Sequence, residues 1–135
     1  MDGIVLTPLK QIYNVKGDIF HIMKKSDDGF YGFAEAYFST INKNVIKGWK
    51  QHTEMTLNLV VVIGEVEFVL YDNISKEFFT VCLSKKNYQR LTVRHGIWMA
   101  FRGIDEKNIV LNLANIEHNS DEANNLGLDE IKYEW

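Results

Sequence analysis

The sequence holds one cysteine and one proline in 135 residues, and each scarcity excludes something. Cys82 has no partner within the chain, so an internal disulfide and the stapled secreted folds are excluded, and a reducing cytosol fits best. Pro8 sits near the start and no tract rich in Pro, Gly or Ser follows it, so no linker divides the chain. Long apolar runs are missing too. The densest, residues 59–63, is far too short to span a bilayer, and the first residues lack the basic start and apolar stretch of an export signal. Neither secretion nor membrane insertion is expected. Nor is there an excess of positive charge: 15 Lys and Arg against 18 Asp and Glu leave a net −3, so nothing draws the chain in bulk toward nucleic acid or an anionic membrane. Any phosphate it binds must meet a local cluster.

What is present is apolar and aromatic. With 46% hydrophobic and 13% aromatic residues the chain can bury one core, and we expect a single domain over residues 1–135. Short runs rich in Val, Ile, Phe, Tyr and Thr, broken by turn residues at short intervals, are the pattern of an all-β sandwich or barrel. They cover residues 17–23, 32–40, 57–63 and 66–72 across a Gly64-Glu65 turn, 78–83 with 90–93, and 109–116, with an N-terminal strand over 4–12. The breaks at Lys47-Gly48 and Arg102-Gly103 read as bulges or turns. Only residues 84–89 and 120–126 suggest a helical turn.

Strand alternation sorts the side chains near those breaks. Lys50 and His52 share one face and Trp49 and Gln51 the other, while Phe33, Glu35, Tyr37 and Ser39 fall opposite Ala34, Ala36 and Phe38. Polar sets flanked by so much apolar sequence mark a polar-lined mouth suited to a small molecule. Proton transfer alpha to a carbonyl needs a base and a cation or donor for the enolate oxygen, and His52 and Lys50 supply both types. Spacing alone favours a solvated lysine beside a histidine that satisfies a backbone group, and so does not name an enzyme. His21, His95 and His118 show no ligand spacing and read as surface or hydrogen-bonded residues.

The stretches VKGDIF, GFAEAYFS, VIKGWKQH, LVVVIGEVEFVLYD, LSKKNYQRLTV, GIWMAF and IKYEW follow one another over nearly the whole chain. In that order they resemble the dTDP-4-keto-6-deoxyglucose 3,5-epimerases and the smaller 3,4-ketoisomerases, which implies a cupin-type (jelly-roll) β-barrel and a nucleotide-linked (dTDP) sugar as partner. Metal-holding cupins place two histidines one residue apart and a carboxylate soon after. Here Lys50 stands at the first histidine and Asn58 near the carboxylate, so no metal or other cofactor is expected. The epimerase motif Arg-Gly-Leu-His stands as Lys47-Gly48-Trp49-Lys50, and the late Asp-Tyr-Tyr stands as Ile116-Glu117-His118, which removes the tyrosine acid. The ketoisomerase motif Arg-Gly-Phe-His-any-His puts His52 on its second histidine, the expected base, and Trp98 falls on a tryptophan of that branch, although Met99 replaces the histidine after it.

The resemblance therefore implies a metal-free 3,4-ketoisomerase with His52 as base and Lys50 beside the enediolate oxygen. An epimerase is the runner-up, and a non-catalytic sugar-nucleotide binding module is the alternative from a different class. Expected substrate contacts are Lys16 and Lys47 on the diphosphate, as point charges rather than forks, with Glu35 near the nucleotide base, and Tyr37, Arg94 and Trp98 at the barrel mouth. Arg90 and Arg102 are unassigned cations. A homodimer is expected, because strands 4–12 and 17–23 would otherwise leave unpaired edges. Tyr133 and Trp135 would then lie in the interface, latch over the neighbouring site, or cap their own barrel.

Overall fold

Period-two alternation of apolar and polar residues gives the chain twelve strands, all described in a computed structural model of residues 1–135. They are β1 (Ile4–Pro8), β2 (Gln11–Ile12), β3 (Ile19–Phe20), β4 (Glu35–Asn42), β5 (Ile46–His52) and β6 (Leu57–Ile63), then β7 (Glu65–Asp72), β8 (Glu77–Ser84), β9 (Gln89–Val93), β10 (Trp98–Gly103), β11 (Lys107–Ala114) and β12 (Ala123–Asn125). Two antiparallel five-stranded sheets, in the orders β1-β9-β6-β11-β4 and β12-β5-β10-β7-β8, form the jelly roll, with β2 and β3 as a separate hairpin. The only helical element is a 3-10 turn, Ser120–Glu122, so no helix is long and apolar enough to cross a membrane.

The inner faces bury one apolar layer. Leu57, Leu59 and Val61 of β6 and Leu91 of β9 pack in one cluster with Phe68 and Leu70 of β7. Toward β4 and β5 the inward positions turn polar and the layer opens into a cavity. Each outer face is covered in its own way. Over the first sheet, the segment between β3 and β4 is held by buried Arg90, whose guanidinium donates to Asn58 Oδ1 (2.9 Å), Ile22 O (2.8 Å), Asp27 Oδ2 (2.9 Å) and Thr7 Oγ1 (3.3 Å). Asn58 Nδ2 donates in turn to Gly29 O at 3.0 Å, and a Cβ on Gly29 would lie 2.9 Å from Arg90 Nη2. Over the second sheet, Trp49, Val69, Trp98 and Ala100 form an apolar cluster with Ile131, and Tyr133 and Trp135 pack against it. The C-terminal aromatics thus cap their own chain.

The break at Lys47-Gly48 is a bulge. Met99 pairs with Lys50 and Phe101 with Lys47, so Gly48 and Trp49 together oppose Ala100 alone. Gly48 has φ +149°, and a Cβ there would collide with Ala100, so glycine is required on both counts. At Arg102-Gly103 the strand ends, with Gly103 N–H donating to Val45 O (3.1 Å) and Gly103 O accepting from Asn44 N–H (2.8 Å).

Four expected elements differ. Residues 17–23 supply only Ile19–Phe20 as strand, because Asp18 accepts from Gln11 Nε2 and Asn14 N–H (both 2.9 Å) and closes a short loop. The N-terminal strand breaks after Pro8. Residues 84–89 form no helix, since Ser84 Oγ and Asn87 satisfy the turn locally, and in 120–126 one 3-10 turn gives way to β12.

Arg90 carries most of the side-chain hydrogen bonds that hold the outer segment, and removing one member of a buried ion pair is costly. Arg90→Met, which keeps an unbranched apolar stem and loses every donor, is expected to destabilise the protein by about 3 kcal/mol. Urea denaturation reads this directly. A loss below about 1 kcal/mol would show that the network is not holding the segment down.

Candidate active site

The bulge in β5 decides which charges face inward. Plain alternation would put Lys47 with Trp49, but the extra residue reverses it, and Lys47, Lys50 and His52 all line the same cavity of about 630 Å³. From the opposite sheet β4 contributes Glu35, Tyr37 and Ser39, and β11 contributes Asn112. Leu59, Phe68, Met99 and Phe101 make an apolar floor. The volume is that of an ordinary small-molecule site. In a chain of net charge −3, its lining carries the two ammonium groups of Lys47 and Lys50 against the single carboxylate of Glu35, with His52 and His118 beside them.

Most of these groups are anchored. Lys47 Nζ donates to Thr40 O at 2.6 Å. Tyr37 Oη accepts from Asn112 Nδ2 at 2.9 Å, which leaves its own proton free for the cavity. Glu35 Oε1 accepts the His118 backbone N–H at 2.7 Å, tying the segment after β11 to the start of β4. Lys50 Nζ has neither a hydrogen-bond partner nor an ion pair; it is the free cation of the cavity.

His52 is oriented by a residue that no sequence spacing indicated. Its Nδ1 bonds to Glu122 Oε1, while Glu122 Oε2 accepts the N–H groups of Thr53 (3.2 Å), Glu54 (3.1 Å) and Met55 (3.2 Å). Burial pushes the Glu122 carboxyl up, but the His52 hydrogen bond and the Glu54 and Met55 N–H groups outweigh it and hold the acid below the usual carboxylate range. An ionised carboxylate only accepts, so Nδ1 carries a proton toward Glu122 and Nε2 is the ring nitrogen left without a protein partner. The group available for chemistry is therefore a pinned imidazole base next to a free ammonium, on one wall of a cationic cavity.

The other expected contacts lie elsewhere. Trp98 is buried on the outer face of the second sheet and does not line the cavity. Arg94 donates to Thr56 Oγ1 at 2.9 Å and stacks its guanidinium 3.8 Å from the Tyr31 ring, outside the lining. Lys16 is exposed in the β2–β3 turn, where its N–H donates to Asn14 Oδ1 at 2.8 Å. Arg90 and Arg102 are both paired, with Asp27 and Glu67 at 2.9 Å each. Alternation from Val110 carries a signal for Asn112, and the position matched to a family tyrosine carries one for His118. Nothing local marks Glu122, which lies 70 residues from its partner.

The family described as "WxcM-like, C-terminal" (FdtA) matches residues 2–126. No curated protein matches significantly. Among solved structures, the chain is similar to a dTDP sugar isomerase from Desulfovibrio desulfuricans G20, with TM-score 0.93, 29% identity, and coverage of 99% of this chain and 91% of that one. QdtA, a sugar 3,4-ketoisomerase from Thermoanaerobacterium thermosaccharolyticum solved with TDP, matches with TM-score 0.80 at 20% identity over 91% of this chain and 88% of that one. The epimerase RmlC from Legionella pneumophila matches with TM-score 0.84 at 17% identity over 97% and 77%. The last two similarities bear on the fold.

Because the folded Glu122 carboxyl is more acidic than its unfolded counterpart, its contribution to stability is complete above the unfolded pKa and is lost as pH falls through the folded one. Glu122→Gln is expected to cost about 1–2 kcal/mol at pH 7 and progressively less toward pH 3. Denaturation midpoints at several pH values test this. A cost that does not change with pH would mean that shape, and not charge, is what Glu122 provides.

Proposed function

This chain belongs to the WxcM-like, C-terminal (FdtA) family, and from that premise we propose that it is an isomerase of dTDP-linked 4-keto-6-deoxyhexoses that moves the ketone from C4 to C3. The observation that carries the reading is the orientation of His52, with Nδ1 held by Glu122 and Nε2 free in a cavity that also holds Lys50. His52 takes the proton from C3 as electrons move toward the C4 carbonyl oxygen. Lys50 steadies that oxygen as it gains charge, so the barrier falls where charge develops. Return of the proton to C4, with the hydroxyl proton passing from O3 to O4, completes a reaction that consumes nothing.

The similar dTDP sugar isomerase and the TDP-bound ketoisomerase support the substrate class. Lys47 then meets the diphosphate, and Glu35 and Tyr37 hold the remainder of the substrate by hydrogen bonds. A second reading, an epimerase, is favoured by one observation: His118 lines the cavity from the segment after β11, away from β5, and is a titratable group for delivering a proton to another ring face.

Incubation with the keto sugar in deuterated water separates these readings. Label at C4 of the product is expected for the isomerase, label at C3 or C5 with inversion for the epimerase, and no label for a binding module. His52→Asn is expected to lower turnover by roughly 10²–10⁴ with dTDP binding retained, since asparagine still offers Glu122 a donor. Activity near wild type in that variant would remove His52 from its role.

A homodimer completes the reading. Lys16 lies on a hairpin whose Tyr13 and Val15 are 78% and 102% exposed, and it does not reach the cavity of its own chain. Contact between Lys16 and a substrate phosphate therefore requires a second copy, which would also cover those side chains. Sedimentation across a hundredfold dilution is expected to show a species of twice 15.7 kDa. A lone 15.7 kDa species at every micromolar concentration would rule this assembly out.

A further inference from the structure

The residues after Leu126 run behind the strand that carries the cavity's cations. Ile131 is 7% exposed against Trp49, Val69, Trp98 and Ala100. Trp135 packs on Trp49 with ring centroids 6.2 Å apart, meets Tyr133 edge-on at 5.0 Å, and Tyr133 rests on Phe78 at 5.4 Å. The backbone of Trp49 exchanges two hydrogen bonds of 3.0 Å with Leu126, so the strap begins where the strand bulges.

Trp49 borders the cavity but packs with Val69, Trp98, Ala100 and Ile131 in the outer cluster, and the bulge at Gly48-Trp49 brings Lys47 to the side of Lys50 and His52. If the extra residue were absorbed elsewhere along β5, one or more of these side chains would turn outward, because sheet alternation leaves no intermediate direction. What pins it is the burial of Trp49, 1% exposed under the strap. Its indole Nε1 is buried without an acceptor, so packing alone, and no hydrogen bond, holds the ring in place.

We propose that residues 127–135 are a positioning strap for the cavity: by packing on Trp49 from behind, Ile131, Tyr133 and Trp135 fix the bulge in the register that aims Lys47 and Lys50 inward. The proposal rests on reading the cavity as the active site. The segment follows the stretch that the family match covers, which ends at residue 126. The three aromatic and aliphatic side chains are positioning residues, since none of them lines the cavity.

The test uses Trp135→Ala and Trp135→Phe in the full chain, assayed well below the melting temperature of each. Trp135→Ala is expected to lower kcat about tenfold, with KM within about twofold of wild type, and Trp135→Phe to recover most of the loss. A lower melting temperature with unchanged kcat would overturn the proposal and leave the tail a stabilising cap only. If Trp135→Ala does not fold, Trp135→Leu keeps the apolar bulk without the ring and is judged by the same two outcomes. Backbone amide NMR shifts of residues 47–52 give a readout independent of turnover. If wild type acts on no keto sugar, the functional reading fails by itself. The strap then stands if the alanine variant moves those shifts, and falls if they stay in place.

Discussion

The Glu122 carboxylate accepts from His52 through one oxygen and from the N–H groups of Thr53, Glu54 and Met55 through the other, so the end of β5, the turn after it and the C-terminal segment share one buried ion. Pulling the segment away would strand that ion and leave peptide donors unpaired, a cost several times that of a surface hydrogen bond. Around this point the geometry is determined. β12 pairs with β5 from Ala123 opposite His52 to Asn125 opposite Lys50, and Leu126 continues into the cavity wall and the outer apolar cluster at once. His52 and the edge strand that backs it are therefore fixed together.

The charge pattern follows from the same economy of elements. One bulged strand supplies Lys47, Lys50 and His52, while the facing strand supplies hydroxyls and a single carboxylate. A chain with a net −3 thereby keeps a local cationic site, which favours an anionic ligand there without attracting polyanions in bulk. The use of lysine matters. An ammonium on a flexible stem neutralises phosphate as a point charge and follows a moving oxygen, whereas the planar fork of arginine would fix one geometry. Lys47 spends one of its donors on Thr40 O, which limits its wandering, and Lys50 does not.

Much of this was legible beforehand, and the limits have physical causes. Residues 57–63 are a strand with those same limits, because a buried central strand shows as an unbroken apolar run. The face shared by Glu35, Tyr37 and Ser39 followed from alternation, and the Lys47-Gly48 break was readable as a bulge. Which way the bulge turned Lys47 was not, since a two-residue count cannot say where the extra residue is absorbed. Trp98 was placed at the mouth by motif position, yet its parity in β10, opposite Met99 and Phe101, sends it outward. Glu122 was invisible because a contact across 70 residues leaves no periodic trace. His118 was read as a surface residue; it is exposed, and it also lines the cavity.

A single pinned base suits a shift between adjacent carbons better than an inversion. C3 and C4 of the proposed substrate are neighbours, so on that proposal an imidazole held through Nδ1 by Glu122 would serve both from one face by a small tilt of its other nitrogen. Inversion at one carbon instead needs a second proton donor, and His118, exposed at the cavity's edge, is bonded to Glu35 through its backbone only. A donor without a fixed ring orientation delivers protons less selectively than one locked in place. On the function proposed above, the difference in anchoring between the two histidines weighs toward ketone migration over epimerisation.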